Sequence, residues 1–321
     1  MKSFNIFIGA VLIACASGAH ASDWPNKPVQ IVVPYPPGGN VDTAARIIVK
    51  GLEKKFGQPF IVQNRAGAGG MIAGEYVARS TPDGYTFFMA ANGPLLYSPI
   101  IFNRPVYHWK DSFEPVSTVS LTPMVMQINP NLGISTFVEF IEYAKANPGK
   151  LNMASPGAGT SNHLMSEMLQ ARSGANWVTI HYKGNAPATV DLLAGQVDFN
   201  FDQISVALPF IQDKKLVPLA VTSDKRLSSL PDVPTFGQAG LDTLVAYTFT
   251  GLLAPKNTPK NIVDDLSQAL KEVLEQPQII AQFEQLGAQA DWSSPEQFAA
   301  YLASEEARWV PIIKSANIKS N

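Results

Sequence analysis

Two short turns carry residue types that could hold an anion. The first, Pro34-Tyr35-Pro36-Pro37-Gly38-Gly39-Asn40, leaves the apolar run Val29–Val33 and enters an amphipathic helical pattern. Gly38 and Gly39 let a solute approach the main chain closely, and the free N–H groups that open a helix favour negative charge. The second, Ser155-Pro156-Gly157-Ala158-Gly159-Thr160-Ser161, lies between a strand pattern (Leu151–Ala154) and a helical one (Asn162–Ala171). It brings glycines, hydroxyls and a helix N-terminus to one point. Neutral donors of this kind can hold a carboxylate without an arginine. A nucleotide loop is excluded, because no Gly-Lys-Ser/Thr follows and Asn162 stands where the third glycine of a dinucleotide fingerprint belongs. Each turn also has a plainer reading, the first as a tight structural turn and the second as a hydroxyl cap on the following helix.

Other chemistry is sparse. His163 and Glu167 share a helix face at i, i+4, but no third ligand follows, so a surface pair is expected rather than a metal site. Asn64-Arg65-Ala66-Gly67-Ala68-Gly69-Gly70 lacks dinucleotide spacing and reads as architecture. Alternation along Val197–Phe201 sets Asp198, Asn200 and Asp202 on one face. Asp202, at the strand end, either touches a solute or orients loop donors, and beside an anion the second is expected. The sequence shows no Gly-x-Ser-x-Gly, no His-Glu-x-x-His and no calcium loop, so nothing in it supplies an activated nucleophile or a metal cage. Neither a metal nor a cofactor is expected.

The elements that would position these turns follow from periodicity. Short Val/Ile-rich runs alternate with helical patterns, which predicts α/β layers with largely parallel strands. Strands are expected at 29–33, 60–63, 85–90, 124–128, 151–154, 178–182, 197–201 and 216–222. The first helix, over 42–56, repeats Val41, Ala45, Ile48, Leu52 and Phe56 at i+3/i+4 and ends at Gly57. Pro259 and the Ser294-Pro295-Glu296-Gln297 capping box mark two late helix starts.

The N-terminus reads as a secretory leader: Lys2, an apolar run from Ile6 to Ala14, and the small-x-small site Ala19-His20-Ala21. Cleavage after Ala21 leaves 300 of the 321 residues and removes Lys2, moving the formal charge from −2 to −3. It also removes Cys15, the only cysteine, which rules out a disulfide or thiolate in the mature chain. Retention of Cys15 as a lipidated N-terminus is the lesser alternative. About 300 residues exceed one compact core, so two lobes are expected. With no linker visible, crossing strands at 122–129 and 247–254 would join them, giving lobe 1 as 22–125 plus 250–321 and lobe 2 as 126–249. Slight acidity without a Lys/Arg cluster argues against nucleic acid as a partner.

A longer set of motifs carries a family resemblance. Val33-Pro34-Tyr35-Pro36-Pro37-Gly38-Gly39 with Asp42, the Asn64–Gly70 segment and Thr81-Pro82-Asp83-Gly84-Tyr85-Thr86 come first. Tyr182-Lys183-Gly184, Ala186-Pro187, Asp191-Leu192-Leu193-Ala194-Gly195-Gln196, Ala220-Val221-Thr222-Ser223, Arg226 and Leu230-Pro231-Asp232-Val233-Pro234-Thr235 follow. In order and number these resemble the Bug family, the extracytoplasmic receptors of tripartite tricarboxylate transporters, nearly end to end. The resemblance implies a class II periplasmic-binding-protein fold, with two α/β lobes and the ligand cleft between them. It further implies a receptor that captures a small carboxylate and delivers it to the membrane components of the transporter; the exported chain is expected to act as a monomer in the periplasm. Ligand contacts would come from Tyr35, Pro37, Gly38, Gly39 and Asn40, from Asn92 and Gly93 in Ala90-Ala91-Asn92-Gly93-Pro94, and from Ser155, Gly159, Thr160, Ser161 and Asp202. Two positions depart from the family pattern: Ala66, where proline is usual, and Asn92, where a small hydroxyl residue is expected. An exported hydrolase using the same cleft is the alternative.

Overall fold

Val29–Val33 forms the first strand, β1, with Val29, Ile31, Val32 and Val33 fully buried. The structure, a computed structural model, describes residues 24–104, 106–241, 244–315 and 318. The expected leader, with Cys15 and the cleavage site after Ala21, lies outside the described residues. After β1 come α1 (Asn40–Phe56), β2 (Phe60–Asn64), α2 (Met71–Ala78) and β3 (Thr86–Ala91). A wide helical turn, Gly93–Tyr97, passes through α3 (Ser98–Ile101) and α4 (Trp109–Ser112) into the long strand β4 (Phe113–Ile128). The middle of the chain is α5 (Phe137–Ala146), β5 (Asn152–Ser155), α6 (Ser161–Ser173), β6 (Val178–His181), α7 (Asn185–Leu193), β7 (Phe199–Gln203), α8 (Ile204–Gln212) and β8 (Val217–Val221). The chain returns through β9 (Tyr247–Pro255) to α9 (Lys260–Leu274), α10 (Pro277–Gln285), β10 (Gln289–Ala290) and α11 (Pro295–Ser315).

The strands hydrogen-bond in the order β2-β1-β3-β9-β4-β7-β5-β6, with β8 and β10 also pairing to β4. Pairing is parallel only in the wings, β2-β1-β3 and β7-β5-β6. The expectation of largely parallel strands is therefore corrected: β4 and β9 run antiparallel to every neighbour, because each passes between the wings instead of closing a βαβ unit. β4 pairs with β9 from Phe113 to Pro123 and with β7 and β8 from Met124 onward.

Each wing is covered on both faces, as a parallel sheet requires. Val29, Ile31 and Val33 meet Val41, Ala45, Ile48 and Leu52 of α1 and Leu266 and Leu270 of α9. On the opposite face Val32, Phe88 and Ala90 share a core with Met71 and Val77 of α2 and with Phe298 and Leu302 of α11. In the second wing Phe199 and Phe201 lie in the same core as Phe140 of α5 and Leu164 and Met168 of α6, while Ala154 meets Ala188 and Leu192 of α7. Each such aliphatic or aromatic side chain is worth about 1.5–3 kcal/mol on burial.

The helix signals act as their chemistry requires. Gly57 closes α1 at φ 67, its N–H donating to the Glu53 carbonyl. Ser294 and Gln297 form the reciprocal capping box at the start of α11. Pro259 sits one position earlier than expected, as the cap of α9 rather than its first residue. The crossing strand expected from Thr122 begins nine residues sooner, at Phe113. Its first half is rich in hydroxyls that are buried because they bond laterally: Ser120 Oγ lies 2.8 Å from Thr250 Oγ1, and Thr118 Oγ1 donates to Ser293 Oγ at 3.0 Å. Register shifts at Pro115/Ser117 and Thr118/Ser120 further break the alternation that would have marked it as a strand.

Candidate functional site

The first turn is held from behind by Asp42. This carboxylate accepts from Gly38 N at 2.9 Å, from Asn64 Nδ2 at 2.8 Å, and from Arg46 Nε and Nη2 at 2.9 and 3.1 Å. Burial opposes its ionisation, but the bonds from Arg46, Gly38 and Asn64 outweigh it and hold the carboxyl below the usual range. Asn64 Nδ2 also donates to the Tyr35 carbonyl at 2.9 Å, so the Asn64–Gly70 segment anchors the turn. Gly38 adopts φ +86, a conformation that favours glycine, and Gly38 and Pro37 are exposed at the rim. Gly39 and Asn40 are buried, and among the described residues neither backbone N–H finds an acceptor.

The second turn reaches the same place from the other wing. Ser155 Oγ is spent within the turn, donating to Gly157 O at 3.0 Å and accepting from Gly157 N at 3.2 Å. Thr160 Oγ1 donates to Gly157 O at 2.8 Å and accepts from His163 N at 3.3 Å, which makes it the N-cap of α6. Its single hydroxyl proton is thus committed inside the protein. Ser161 is different: among the described residues its hydroxyl has no hydrogen-bond partner, and neither its N–H nor that of Asn162 has an acceptor. His163 is not on the surface, as expected from sequence, but 3% exposed, because α6 is buried on most of its sides. Its Nδ1 accepts from Gly159 N at 3.3 Å, which places the ring proton on Nε2, 3.6 Å from Glu167 Oε1. His181 stands edge-on at 4.8 Å, and burial pushes its pKa down to about 4, with His163 adding to the effect.

Asp202 is completely buried at the junction of β7 and α8. Oδ1 accepts from Asn185 Nδ2 and from Gln203 N (2.9 Å); Oδ2 accepts from Thr189 Oγ1 (3.1 Å) and Asn200 Nδ2 (3.4 Å). These four donors fill the acceptor capacity of a carboxylate, so the group has none left for a solute. Burial raises its pKa to about 7, partly offset by those bonds. Its effect is to aim Asn185 and Gln203. Gln203 Oε1 accepts from Asn185 Nδ2 at 2.8 Å, and its Nε2 donates to Asn162 Oδ1 at 3.1 Å and to Thr248 Oγ1 of β9 at 3.0 Å.

The wings meet at these residues. A Cβ added at Gly39 would lie 3.3 Å from Asn185 Oδ1, and one at Gly93 would lie 2.9 Å from Gly159 O and 3.1 Å from Tyr35 Oη. Asn40 Oδ1 accepts from Ser205 Oγ at 2.6 Å and Thr122 Oγ1 at 3.3 Å, while Asn40 Nδ2 is buried without a partner among the described residues. The N-termini of α1, α6, α7 and α8 therefore converge, and no Lys or Arg bonds to Asn40, Ser161, Asn162, Asn185 or Gln203 among the described residues. Asn92 is placed otherwise than a ligand side chain would be. Its amide donates to Glu305 Oε2 at 3.1 Å and Tyr97 Oη at 3.3 Å and accepts from Phe249 N at 3.0 Å, so the side chain is committed inside the protein.

Asn162, Asn185, Gln203 and Ser205 escaped the sequence reading. A signal existed for Asn185 and Gln203: both sit where a strand gives way to a helix, β6 to α7 and β7 to α8, the logic that singled out the other two turns. Among the described residues no group of three His, Cys, Asp or Glu is placed to hold a metal ion, and no helix is long and apolar enough to cross a membrane.

Comparison with known proteins supplies the context. Over 316 residues the chain is 34% identical to protein BugT of Bordetella pertussis, covering 98% of this chain and 96% of that one. A solved R. palustris protein with adipate superposes with a TM-score of 0.90 at 30% identity, covering 92% of this chain and 99% of that one. MatC from Rhodopseudomonas palustris with bound malate gives 0.86 at 30% identity, covering 90% and 100%. Solved neighbours of this chain are periplasmic binding proteins of two-lobed fold, and the fold here is the same. Residues 44–318 match the sequence family described as TctC, tripartite tricarboxylate transporter family receptor, and the chain belongs to that family.

Proposed function

We propose that this receptor captures a small carboxylate, of the di- or tricarboxylate or aromatic class, between its lobes and presents it to the membrane components of a tripartite transporter. The convergence of four helix N-termini, with unpaired donors at α1 and α6 and no Lys or Arg bonded to the converging side chains among the described residues, carries this reading. Each terminus contributes about half a positive charge, and their N–H groups match a carboxylate without a salt bridge. In this reading the backbone of Gly39, Asn40, Gly93, Ser161 and Asn162 donates, Asn40 Nδ2 and the Ser161 hydroxyl add side-chain donors, and Tyr35 closes one side. Ser155, Thr160 and Asp202 shape the cradle without touching the solute. The dicarboxylates bound by the two R. palustris proteins support the class. An exported hydrolase is set aside, since the family consists of receptors.

The lobes divide near 125 and 250, with 22–125 plus 250–321 forming one and 126–249 the other. The change of β4 partners between Pro123 and Met124 supports this division. The protein acts as a monomer in the periplasm, exported by a leader cut after Ala21, so that mass analysis of the mature chain should find Ser22 at its N-terminus. Titration of the purified protein with adipate, malate, citrate and benzoate tests the solute class. At least one should bind and raise the melting temperature, because a ligand of the folded state alone stabilises it. Absence of binding to all four would refute the carboxylate reading.

A further inference from the structure

After β3 the wide turn Gly93–Tyr97 delivers Ser98 to a point where the backbone at Gly69 closely approaches that at Ala158 and Gly159. Ser98 is completely buried, and its hydroxyl lies 3.0 Å from Gly69 O in its own lobe and 3.2 Å from Gly159 O in the other. The surroundings admit nothing larger. A Cβ added at Gly69 would lie 2.5 Å from Ser98 Oγ and 2.6 Å from Ala158 O. One added at Gly159 would lie 2.5 Å from Ser98 Oγ and 2.9 Å from Ser98 Cα. Gly69 and Gly159 also hold positive φ, +61 and +78, so both conformation and space select glycine there. Ser98 offers no group to the converging helix N-termini.

We propose that Ser98 is a latch for closure, a positioning residue that sets how long a captured solute is retained. The inference rests on the reading that the lobes close on their solute. Opening must break the Ser98–Gly159 contact and separate the Gly69, Gly93 and Gly159 backbones. Entry takes place in the open state, where these contacts do not exist. The latch therefore acts on escape and not on capture.

Two experiments test it. With malate and adipate as probes, stopped-flow measurement on Ser98→Ala should show dissociation faster by about three- to tenfold, the weight of one neutral hydrogen bond. The association rate should not change, which a general loss of stability from losing the bond to Gly69 O would not reproduce. Ser98→Val, too large for the gap, should keep the radius of gyration at its solute-free value even at saturating probe. Wild-type dissociation rates in both variants would overturn the proposal.

The second experiment needs no solute. Ser98→Cys is nearly isosteric and, since no other cysteine follows Cys15, supplies the sole thiol of the mature chain at a position that is completely buried where the lobes touch. A thiol reagent should label the folded, solute-free variant through opening of that contact, and complete protection in the folded protein would overturn the latch, because the contact would then never break. Labelling in a protein that binds no carboxylate would leave the latch standing and remove the proposed solute class.

Discussion

Replacing Asp202 with asparagine tests the architecture of the cradle at its most loaded group. Asp202 is fully buried, four donors surround it, and burial lifts its pKa to about 7. An unfolded aspartate titrates near 3.9. Between these values the folded protein holds a proton that the unfolded chain has released, so stability falls as pH rises through this window. A shift of about three pKa units corresponds to at most about 4 kcal/mol, present in full below about pH 4 and gone above about pH 7. The amide introduced by Asp202→Asn cannot ionise, but it replaces one acceptor oxygen by a donor nitrogen, so two of the four donors lose their partner at a cost of about 1–3 kcal/mol each. The variant should thus be clearly less stable than wild type at pH 4 and approach or exceed it at pH 8. Urea unfolding of both proteins without solute, at intervals from pH 4 to 8, measures this difference, and shared titrations cancel in it. A difference that stays flat across the range, or grows with pH, would refute the account of Asp202 as a carboxyl strained by burial. In either case solute binding should weaken, because Asp202 shapes the cradle through Asn185 and Gln203.

Truncations of the neighbouring hydroxyls should separate stability from affinity. Thr160→Ala removes the N-cap of α6 and should cost about 1 kcal/mol of unfolding free energy. Ser161→Ala should leave the melting temperature unchanged and weaken carboxylate binding about tenfold or more, as loss of a hydrogen bond to a charged group requires. Asn92→Ala strips the buried Glu305 carboxylate of one donor and leaves Phe249 N unpaired. It should destabilise by about 1–3 kcal/mol, read by urea unfolding, without altering solute affinity.

Local rules made much of the fold legible. β1, α1 and Gly57 follow from burial period and capping, because each signal lies within a few residues of the structure it specifies. The two turns could be found for the same reason. β4 was legible only in its second half: Thr122 to Ile128 read as a crossing strand, whereas Ser117, Thr118 and Ser120 read as loop until Thr250 and Ser293 arrive to pair with them. The site shows the same division. Thr160 could be read as a cap, but the union of Ser205 with Asn40, 165 residues apart, or of Asn92 with Glu305, 213 apart, leaves no local trace. His163 misled because i, i+4 spacing with Glu167 describes a helix face and says nothing of what covers it.

Pro123 faces Tyr247 across a single rung of the β4–β9 ladder, and the next residue on β4 already belongs to the other sheet. The intervening chain thus leaves and re-enters the β4–β9 ladder at adjacent points, as an inserted cassette does. A chimera spliced at those two positions could exchange the entire second lobe, with its α6, α7 and α8 termini, for that of a relative while disturbing one rung of one ladder. Because the first lobe would be held constant, a panel of such grafts would apportion solute preference between the halves of the cradle.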